Sequence, residues 1–322
     1  MAAILEVSGL TAEFPSPSGT VRVLDGVDLE VQDGEILGIV GESGSGKTMT
    51  ALSVTRLLPP AAEIVGGEIL FRGSNLLGLS GREMNRIRGE QISMIFQNPR
   101  ASLNPLYRVE KTLEQVLGTH RNLSGESARR AAFELFADVG LQPERVLGRY
   151  PHELSGGMCQ RVMIAYALAS RPSMLIADEP TTALDVTIQL QIIDLLSRLR
   201  EELGLTLILI MHNLSVVAEL CDRVAVMYLG KIVEEGPVLE IFDRPKHPYT
   251  VGLLASRPNV HAGGGDLATI PGQVPDARER PSGCPFHTRC PHAKELCSEQ
   301  PPAKEEIGAG HAVACHFWRE IS

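Results

Sequence analysis

Eight consecutive residues have the composition and spacing of a loop that binds phosphate groups. They read Gly41-Glu42-Ser43-Gly44-Ser45-Gly46-Lys47-Thr48 and match the pattern G-x-x-x-x-G-K-[ST]. Glycines allow the backbone to curl until its N–H groups converge on phosphate oxygens. Lys47 is expected to reach the terminal phosphates of a nucleotide, and the Thr48 hydroxyl to ligate Mg²⁺. A chance glycine-rich turn is the alternative, but it is disfavoured because a strand pattern precedes the loop and a helical pattern follows it.

Two adjacent carboxylates, Asp178 and Glu179, follow an apolar segment at residues 174–177. Ligands of parallel sheets bind at the carboxyl ends of the strands, so both acids are expected beside the phosphate-binding loop. Asp178 would hold Mg²⁺, and Glu179 would act as the general base that polarises an attacking water. A solvated strand end is the alternative. It is disfavoured because nucleotide hydrolysis needs one acid at the metal and another at the water.

The elements that must position these residues alternate between strand and helix. Apolar runs at 36–40, 174–177 and 206–210 predict buried strands, and helical patterns such as 187–203 lie between them. Such alternation is typical of a parallel sheet covered by helices. Residues 1–31 show the short alternating runs of a small antiparallel sheet.

The middle of the chain carries no strand pattern between about residues 99 and 170. Helical patterns at 110–117, 125–139 and 157–169 predict a helical insertion there. The predicted fold is therefore α/β, with the parallel core of a RecA-like P-loop NTPase and an N-terminal antiparallel β subdomain. A helical subdomain and a small Cys-rich C-terminal appendage complete it.

A second glycine-containing segment narrows the class of nucleotide-binding protein. Leu154-Ser155-Gly156-Gly157-Met158, followed by Gln160-Arg161, resembles the signature motif of ABC ATPases. Ser155 and the two glycines are expected at a helix N-terminus, where backbone N–H groups and the helix dipole favour anions. A plain helix N-cap is the local alternative.

Three further positions match the same family in the same order along the chain. Gln97 resembles the Q-loop glutamine, Ala183-Leu184-Asp185 the D-loop, and His212 the switch histidine. The resemblance covers residues 1 to about 255. It implies that Gln97 reaches Mg²⁺ and the attacking water, that Asp185 crosses a dimer interface, and that His212 contacts the γ-phosphate. In the implied head-to-tail dimer, Ser155, Gly156 and Gly157 contact ATP bound by the opposite subunit.

Three details depart from the family pattern or leave it incomplete. Cys159 and Asn213 stand where glutamine and aspartate are usual, and Cys159 is interpreted as a packing variant. Phe14 is the candidate for stacking on adenine, although the segment 15–18 can shift its register.

The C-terminal part differs in composition from the rest. His247-Pro248-Tyr249-Thr250 resembles a segment that marks ATPases of oligopeptide, dipeptide and nickel importers, although alone it predicts only a proline-restricted loop. A domain boundary is expected near residue 256, so that 1–256 forms the nucleotide-binding domain and 257–322 an extension. Gly263-Gly264-Gly265 reads as a linker.

Four cysteines of the extension, Cys284, Cys290, Cys297 and Cys315, could bind a metal centre. Their spacing lacks the tight pair of a zinc knuckle and fits a [4Fe–4S] cluster better, which the family resemblance also implies. Zinc remains an alternative, and disulfides are disfavoured in a reducing compartment. Four nearby histidines could replace a thiolate, although each is more simply a surface-loop residue: His287, His292, His311 and His316.

Composition and charge limit the remaining possibilities. The net charge of −9 argues weakly against a dedicated nucleic-acid binder. No stretch is long and apolar enough to cross a bilayer, and the start lacks a secretory signal, so a cytoplasmic location is expected. The resemblance implies the ATP-hydrolysing subunit of a di- or oligopeptide importer at the cytoplasmic face of the membrane. Its implied partners are a second ATPase, expected to be a different chain, two permeases and an extracytoplasmic solute-binding protein.

Four other functions are weighed against this one. An importer of nickel or another small solute in the same branch stays open. A non-transport ABC ATPase is disfavoured, because the chain has one cassette and no sustained heptad pattern. A P-loop kinase would lack the signature motif and His212. An inactive scaffold is opposed by the intact Lys47, Asp178 and Glu179.

Overall fold

A computed structural model describes residues 2–15, 19–182, 184–256 and 269–321. The predicted linker glycines at 263–265 and Ala183 of the predicted D-loop lie outside the described residues. Among the residues that are described, no helix has the length and apolar character needed to span a membrane.

The strands and helices have the following bounds. The strands are β1 Ala3–Phe14, β2 Val21–Gln32, β3 Ile36–Val40, β4 Glu63–Phe71, β5 Ser74–Asn75, β6 Ile92–Ile95, β7 Met174–Asp178, β8 Thr206–Met211, β9 Arg223–Tyr228, β10 Lys231–Pro237, β11 Glu305–Gly308 and β12 His311–Val313. The helices are α1 Lys47–Val54, α2 Gly81–Glu90, α3 Pro99–Ser102, α4 Val109–Arg121, α5 Gly125–Asp138, α6 Pro143–Val146, α7 Gly156–Leu168, α8 Val186–Leu203, α9 Leu214–Leu220, α10 Val238–Asp243, α11 Pro248–Ala255 and α12 Glu295–Glu299.

The chain divides into two compact units, Met1–Leu77 with Met211–Ser322, and Gly78–Ile210. In the first unit, β2, β1, β4 and β5 form an antiparallel sheet in that order, which confirms the predicted N-terminal sheet. The short runs predicted in this region join into the longer strands β1 and β2. Gly26 has a positive φ of 70° and lies in β2 where the register of its pairing with β1 shifts between Leu10 and Ala12.

The first unit also contains strands β11, β12, β10, β9 and β3, which are neighbours in that order. Every residue of β3 is buried, and β3 pairs in parallel with β9, as expected for a continuous apolar strand. The hairpin of β11 and β12 extends this arrangement through the antiparallel pairing of β12 with β10. The C-terminal segment therefore shares a sheet with residues 231–237.

The second unit contains parallel strands β6, β7 and β8 and the predicted helical segment. The helices predicted at 110–117, 125–139 and 157–169 are confirmed as α4, α5 and α7, and no strand interrupts residues 99–169. The helix predicted at 187–203 is confirmed as α8. Its buried residues recur at the three- and four-residue spacing of one helix face: Ile192, Ile193, Leu195, Leu196 and Leu199.

Candidate ATP site and cysteine-lined cavity

The predicted phosphate-binding loop connects the end of β3 at Val40 to the start of α1 at Lys47. Gly41 has a φ of +152°, and a Cβ atom there would lie only 2.2 Å from the carbonyl oxygen of Met227. Gly46 caps α1 in the left-handed region, with a φ of +107°. Both positions therefore require glycine, and the predicted arrangement of strand, curled loop and helix is confirmed.

Lys47 folds back over its own loop. Its Nζ donates to the carbonyl oxygens of Gly41 at 2.8 Å and Glu42 at 3.0 Å, and to the Ser45 hydroxyl at 3.4 Å. The residue is only 5% exposed. An ammonium this deeply buried would gain from binding phosphate, because charge-assisted hydrogen bonds to phosphate are strong. Thr48, the second residue of α1, is half-buried.

Asp178 ends β7, and Glu179 follows it directly. Both residues are buried, at 2% and 7% exposure. Glu179 adopts a left-handed backbone with a φ of 48°, and its N–H donates to the carbonyl oxygen of Ile210 at 3.0 Å. A non-glycine residue in this region is strained, and such strain is found preferentially at functional sites. The predicted strand end thus carries a buried carboxylate on a residue whose backbone is strained.

The structure brings Gln97 and Glu179 into direct contact. The Gln97 side-chain amide donates to Glu179 Oε2 at 2.7 Å, and the Thr182 hydroxyl donates to the same oxygen at 2.9 Å. Thr182 was missed in the sequence, although its position three residues after Glu179 is the signal that could have identified it. The two donors orient the carboxylate at the end of β7.

The signature segment begins α7, as predicted. Ser155 is the N-cap, and its hydroxyl accepts a hydrogen bond from the Met158 N–H at 3.3 Å. Gly157 packs closely against α8, because a Cβ there would lie 3.0 Å from Ile188 Cγ2. Asp185 is the N-cap of α8 and accepts from the Ile188 N–H at 3.0 Å. Two helix N-termini therefore lie side by side, with Ser155 and Asp185 exposed.

The other predicted site residues lie at element ends. His212 follows β8 and is exposed, and Phe14 is the half-buried last residue of β1. Asn213 is the N-cap of α9, where its side-chain oxygen accepts from the Ser215 N–H at 3.0 Å. Asparagine and aspartate cap helices equally well, which explains the departure at this position.

Glu42 has long-range partners that the sequence does not reveal. Its carboxylate pairs with the Arg289 guanidinium at 2.7 and 3.1 Å, and its N–H donates to the Tyr249 hydroxyl at 2.8 Å. Burial raises the pKa of Tyr249 above its usual value, so the hydroxyl stays neutral. The loop is thus connected to residues more than two hundred positions later in the chain.

The cysteines of the C-terminal region line one small cavity. Cys284, Cys290, Cys297 and Cys315 form its wall with aromatic and histidine side chains that include Phe286. All four are free thiols, so disulfides are absent from this fully described set. Burial raises the pKa of Cys284 to about 12 and that of Cys315 to about 11.

The four thiols do not form a site for a single metal ion. Within the described ranges, no group of three or more histidine, cysteine, aspartate or glutamate side chains is arranged to hold one. The thiols therefore share a cavity without converging on one point. Because thiolates are the metal-binding form of cysteine, a metal centre would have to displace protons from the thiols when it binds.

Two interpretations of histidines are wrong. His311 is not a surface-loop residue: it is 5% exposed on β12, and its Nε2 lies 2.9 Å from Oε1 of the buried Glu234. His247 and Pro248 do not form a plain loop, because His247 is the N-cap of α11 and its Nδ1 accepts from the Tyr249 N–H at 3.0 Å. Proline is favoured at the first helical position, which is the signal that predicts this helix start.

Comparison with known proteins places these features in a family. The ABC transporter family profile matches residues 24–182, and the profile of the oligopeptide/dipeptide transporter C-terminal region matches residues 233–297. The oligopeptide transport ATP-binding protein OppD of Escherichia coli is 48% identical over 97% of this chain and 93% of its own length. OppD of Bacillus subtilis is also 48% identical, over 96% of this chain and 87% of its own length.

Solved structures give the same result for the fold. A dimeric ATP-binding cassette in a post-hydrolysis state, bound to ADP and phosphate, superposes with a TM-score of 0.67 at 30% identity. The match covers 73% of this chain and 98% of that cassette. The fold is therefore that of an ABC ATPase cassette, as the sequence predicted. The chain belongs to the family of ATP-binding proteins of oligopeptide- and dipeptide-type ABC transporters.

Proposed function

We propose that this chain is the ATP-hydrolysing subunit of an ABC importer for di- or oligopeptides. The observation that carries the hydrolytic part is the buried Glu179 carboxylate, which Gln97 and Thr182 orient at the end of β7. The peptide part is supported by the match of the oligopeptide/dipeptide C-terminal profile and by the names of the full-length relatives.

The nucleotide would be bound through the loop Gly41–Thr48. The backbone N–H groups of Ser43, Gly44, Ser45 and Gly46 and the start of α1 favour phosphate oxygens. Lys47 would donate to the terminal phosphates, which is favourable because these bonds join opposite charges. Thr48 and Asp178 are proposed Mg²⁺ ligands. When bound, Mg²⁺ supplies charge neutralisation at the phosphates.

Glu179 is the proposed general base. Its carboxylate would orient a water and accept a proton from it as the water oxygen attacks the γ-phosphorus and the bond to ADP breaks. Gln97 contacts this carboxylate and is also proposed to reach the metal and the water. A change at either residue would therefore affect hydrolysis more than binding.

The exposed signature segment is proposed to complete the site of a second cassette. Ser155, Gly156 and Gly157 begin a helix whose N-terminus is suited to an anion brought by another molecule. Asp185 is proposed to lie at that dimer interface, and His212 to contact the γ-phosphate. The solved cassette with 30% identity is a dimer, which supports this arrangement.

The partners are proposed from the family. They are a second ATPase subunit, two membrane permeases and an extracytoplasmic solute-binding protein, with no nucleic acid. The chain would lie at the cytoplasmic face of the membrane, held there by the permeases. Residues 1–256 are proposed as the nucleotide-binding domain, with about 99–170 as its helical subdomain, and 257–322 as the extension.

We further infer that Cys284, Cys290, Cys297 and Cys315 hold a [4Fe–4S] cluster. Such a cluster binds one thiolate at each iron, so its ligands surround a volume, whereas zinc needs four ligands around one ion. The four thiols line a shared cavity, as the ligands of such a cluster would. Its role would be structural, since it ties together a segment with few apolar side chains.

The hydrolytic proposal is tested by replacing Glu179 with glutamine in the purified protein. Binding of ATP is expected to be retained, while the hydrolysis rate falls by about 10²- to 10⁴-fold, because the amide cannot accept the proton. The matched control is Glu201→Gln, an exposed position on α8. Sustained hydrolysis by the Glu179→Gln protein would remove this residue as the base.

A further inference from the structure

The guanidinium of Arg289 is saturated with hydrogen bonds. Its Nε donates to the Pro271 carbonyl oxygen at 2.9 Å. One terminal nitrogen donates to Glu42 Oε2 at 2.7 Å and to the Tyr228 hydroxyl at 3.4 Å, and the other donates to Glu42 Oε1 at 3.1 Å and to the Gly272 carbonyl oxygen at 3.4 Å. All five N–H donors of the side chain are thereby used. The Arg289 side chain is 4% exposed, so this is a buried, fully bonded cation.

The partner of Arg289 in this ion pair is Glu42, a residue of the phosphate-binding loop. Each polar group of Glu42 has a partner: the carboxylate pairs with Arg289, the N–H donates to Tyr249, and the carbonyl oxygen accepts from Lys47. Glu42 is therefore held by three side chains, and two of them come from the C-terminal part of the chain. The third is the lysine expected to bind phosphate.

Tyr249 belongs to a buried aromatic cluster with Tyr228 and Phe286, and the Arg289 guanidinium lies over the rings of the last two. The Tyr228 and Tyr249 ring centroids lie 4.7 Å apart, and the Phe286 centroid lies 5.2 Å from the first and 5.3 Å from the second. All three side chains are less than 2% exposed. Rings packed at this density restrict motion, so the Tyr249 hydroxyl and the Arg289 guanidinium are held in place.

We propose that Arg289 and Tyr249 are positioning residues for the phosphate-binding loop, so that nucleotide affinity depends on the C-terminal region. This inference rests on the proposed function and names the contacts that prepare its nucleotide site. Neither residue is expected to touch the nucleotide. They fix the position of Glu42, which lies at the start of the loop and whose carbonyl oxygen accepts a hydrogen bond from Lys47.

The expected consequence is weaker nucleotide binding with little change in kcat. Loss of a buried ion-pair partner leaves the remaining charge without compensation and loosens the segment that carries it. A loose loop must be ordered again when the nucleotide binds, which weakens affinity. These contacts prepare the loop for binding, and a loss of ground-state binding raises KM without lowering kcat. The kcat at saturating ATP is therefore expected to stay within about twofold of the wild-type value.

The test measures the Kd for Mg²⁺ and a fluorescent ATP analogue, together with KM and kcat for ATP, in the full chain. Arg289→Ala is expected to raise Kd and KM by at least about tenfold. The Kd and KM of Arg289→Lys are expected to lie between those of this variant and the wild type, because lysine keeps the charge but not the bidentate geometry. The matched control is Arg278→Ala, since Arg278 also pairs with a carboxylate, Asp276, but is 67% exposed and does not reach the loop.

Tyr249→Phe keeps the test decisive if Arg289→Ala fails to fold, since it removes one oxygen atom. It is expected to raise Kd by about two- to tenfold, the value of one hydrogen bond. Wild-type affinity in a folded Arg289→Ala protein would overturn the inference. If Arg289→Ala does not fold, wild-type affinity in Tyr249→Phe would overturn it. So would equal weakening by the Arg278→Ala control. Absence of ATP hydrolysis in the wild-type importer would instead overturn the proposed function, and the two failures are therefore distinguishable.

Discussion

The phosphate-binding loop and the signature segment are both glycine-containing turns that lead into a helix, but they are held differently. The loop at 41–48 is fixed by distant residues, because Tyr249 and Arg289 bind Glu42. The signature segment is held by its own Ser155 cap and by contact of Gly157 with the next helix along the chain, α8. The phosphate-binding loop is thus preorganised by side chains from the far end of the chain, and the signature segment by its own cap and one neighbouring helix.

The exposure of the two segments follows the same division. Ser45 and Lys47 are buried, whereas Ser155 is exposed. A loop that encloses phosphates needs a fixed shape before ligand arrives, since ordering it would weaken binding. A helix N-terminus that completes another subunit's site must instead remain accessible. The difference therefore separates a binding element from a proposed interface element.

The largest effect is expected from Lys47→Ala. Removal of the ammonium takes away the charge that faces the phosphates, and ATP affinity should fall at least about a hundredfold. Equilibrium binding of ATP to the purified protein measures this, with the exposed Lys111→Ala as control. Unchanged affinity would undo the assignment of the loop.

Ser155→Ala should leave ATP binding by the single chain intact. It should reduce hydrolysis by at least about tenfold, because a hydrogen-bond donor to the phosphate bound by the other subunit is lost. Measurement of both quantities across ATP concentrations separates the effects. Ser80→Ala is a matched control, because Ser80 caps α2 through an N–H bond of the same 3.3 Å length. Both variants should lose about 1 kcal/mol of helix stability. Equal hydrolysis in the two would reduce Ser155 to a cap.

The smallest of the three effects is expected from Cys290→Ser, which should weaken ATP binding by about two- to fivefold through the adjacent Arg289. Iron and acid-labile sulfide should be lost, and the thermal midpoint should fall because the cluster no longer ties the segment. The measurements are metal analysis and thermal unfolding of protein purified without oxygen. Cys159→Ala is the control, since Cys159 is a buried free thiol outside the cavity. A folded wild-type protein without metal would contradict the cluster.

Local patterns were sufficient to predict β3, β7 and β8 and the helices α4, α5, α7 and α8. Five apolar residues before the loop predicted β3, and the carboxylates after 174–177 predicted the end of β7. The helical pattern after the loop predicted α1. Each of these depends on residues adjacent in sequence, where hydrophobic period and glycine conformation are strong signals.

The contacts that required the structure join residues far apart in the chain. Glu42 and Arg289 are separated by 247 positions, and nothing in either neighbourhood indicates the pairing. His311 was misinterpreted for the same reason, since its burial comes from the pairing of β12 with β10. Helical structure from Pro248 could have been predicted from proline at the first helical position.

The central claim is tested most directly by uptake of a labelled oligopeptide in the organism that carries this gene. Cells lacking the gene are complemented with the wild-type chain, with Glu179→Gln or with the Glu201→Gln control. Uptake should be restored by the wild type and the control and should stay at the background of the deleted cells with Glu179→Gln. Equal uptake with Glu179→Gln, or no loss of uptake on deletion, would contradict an ATPase that drives peptide import.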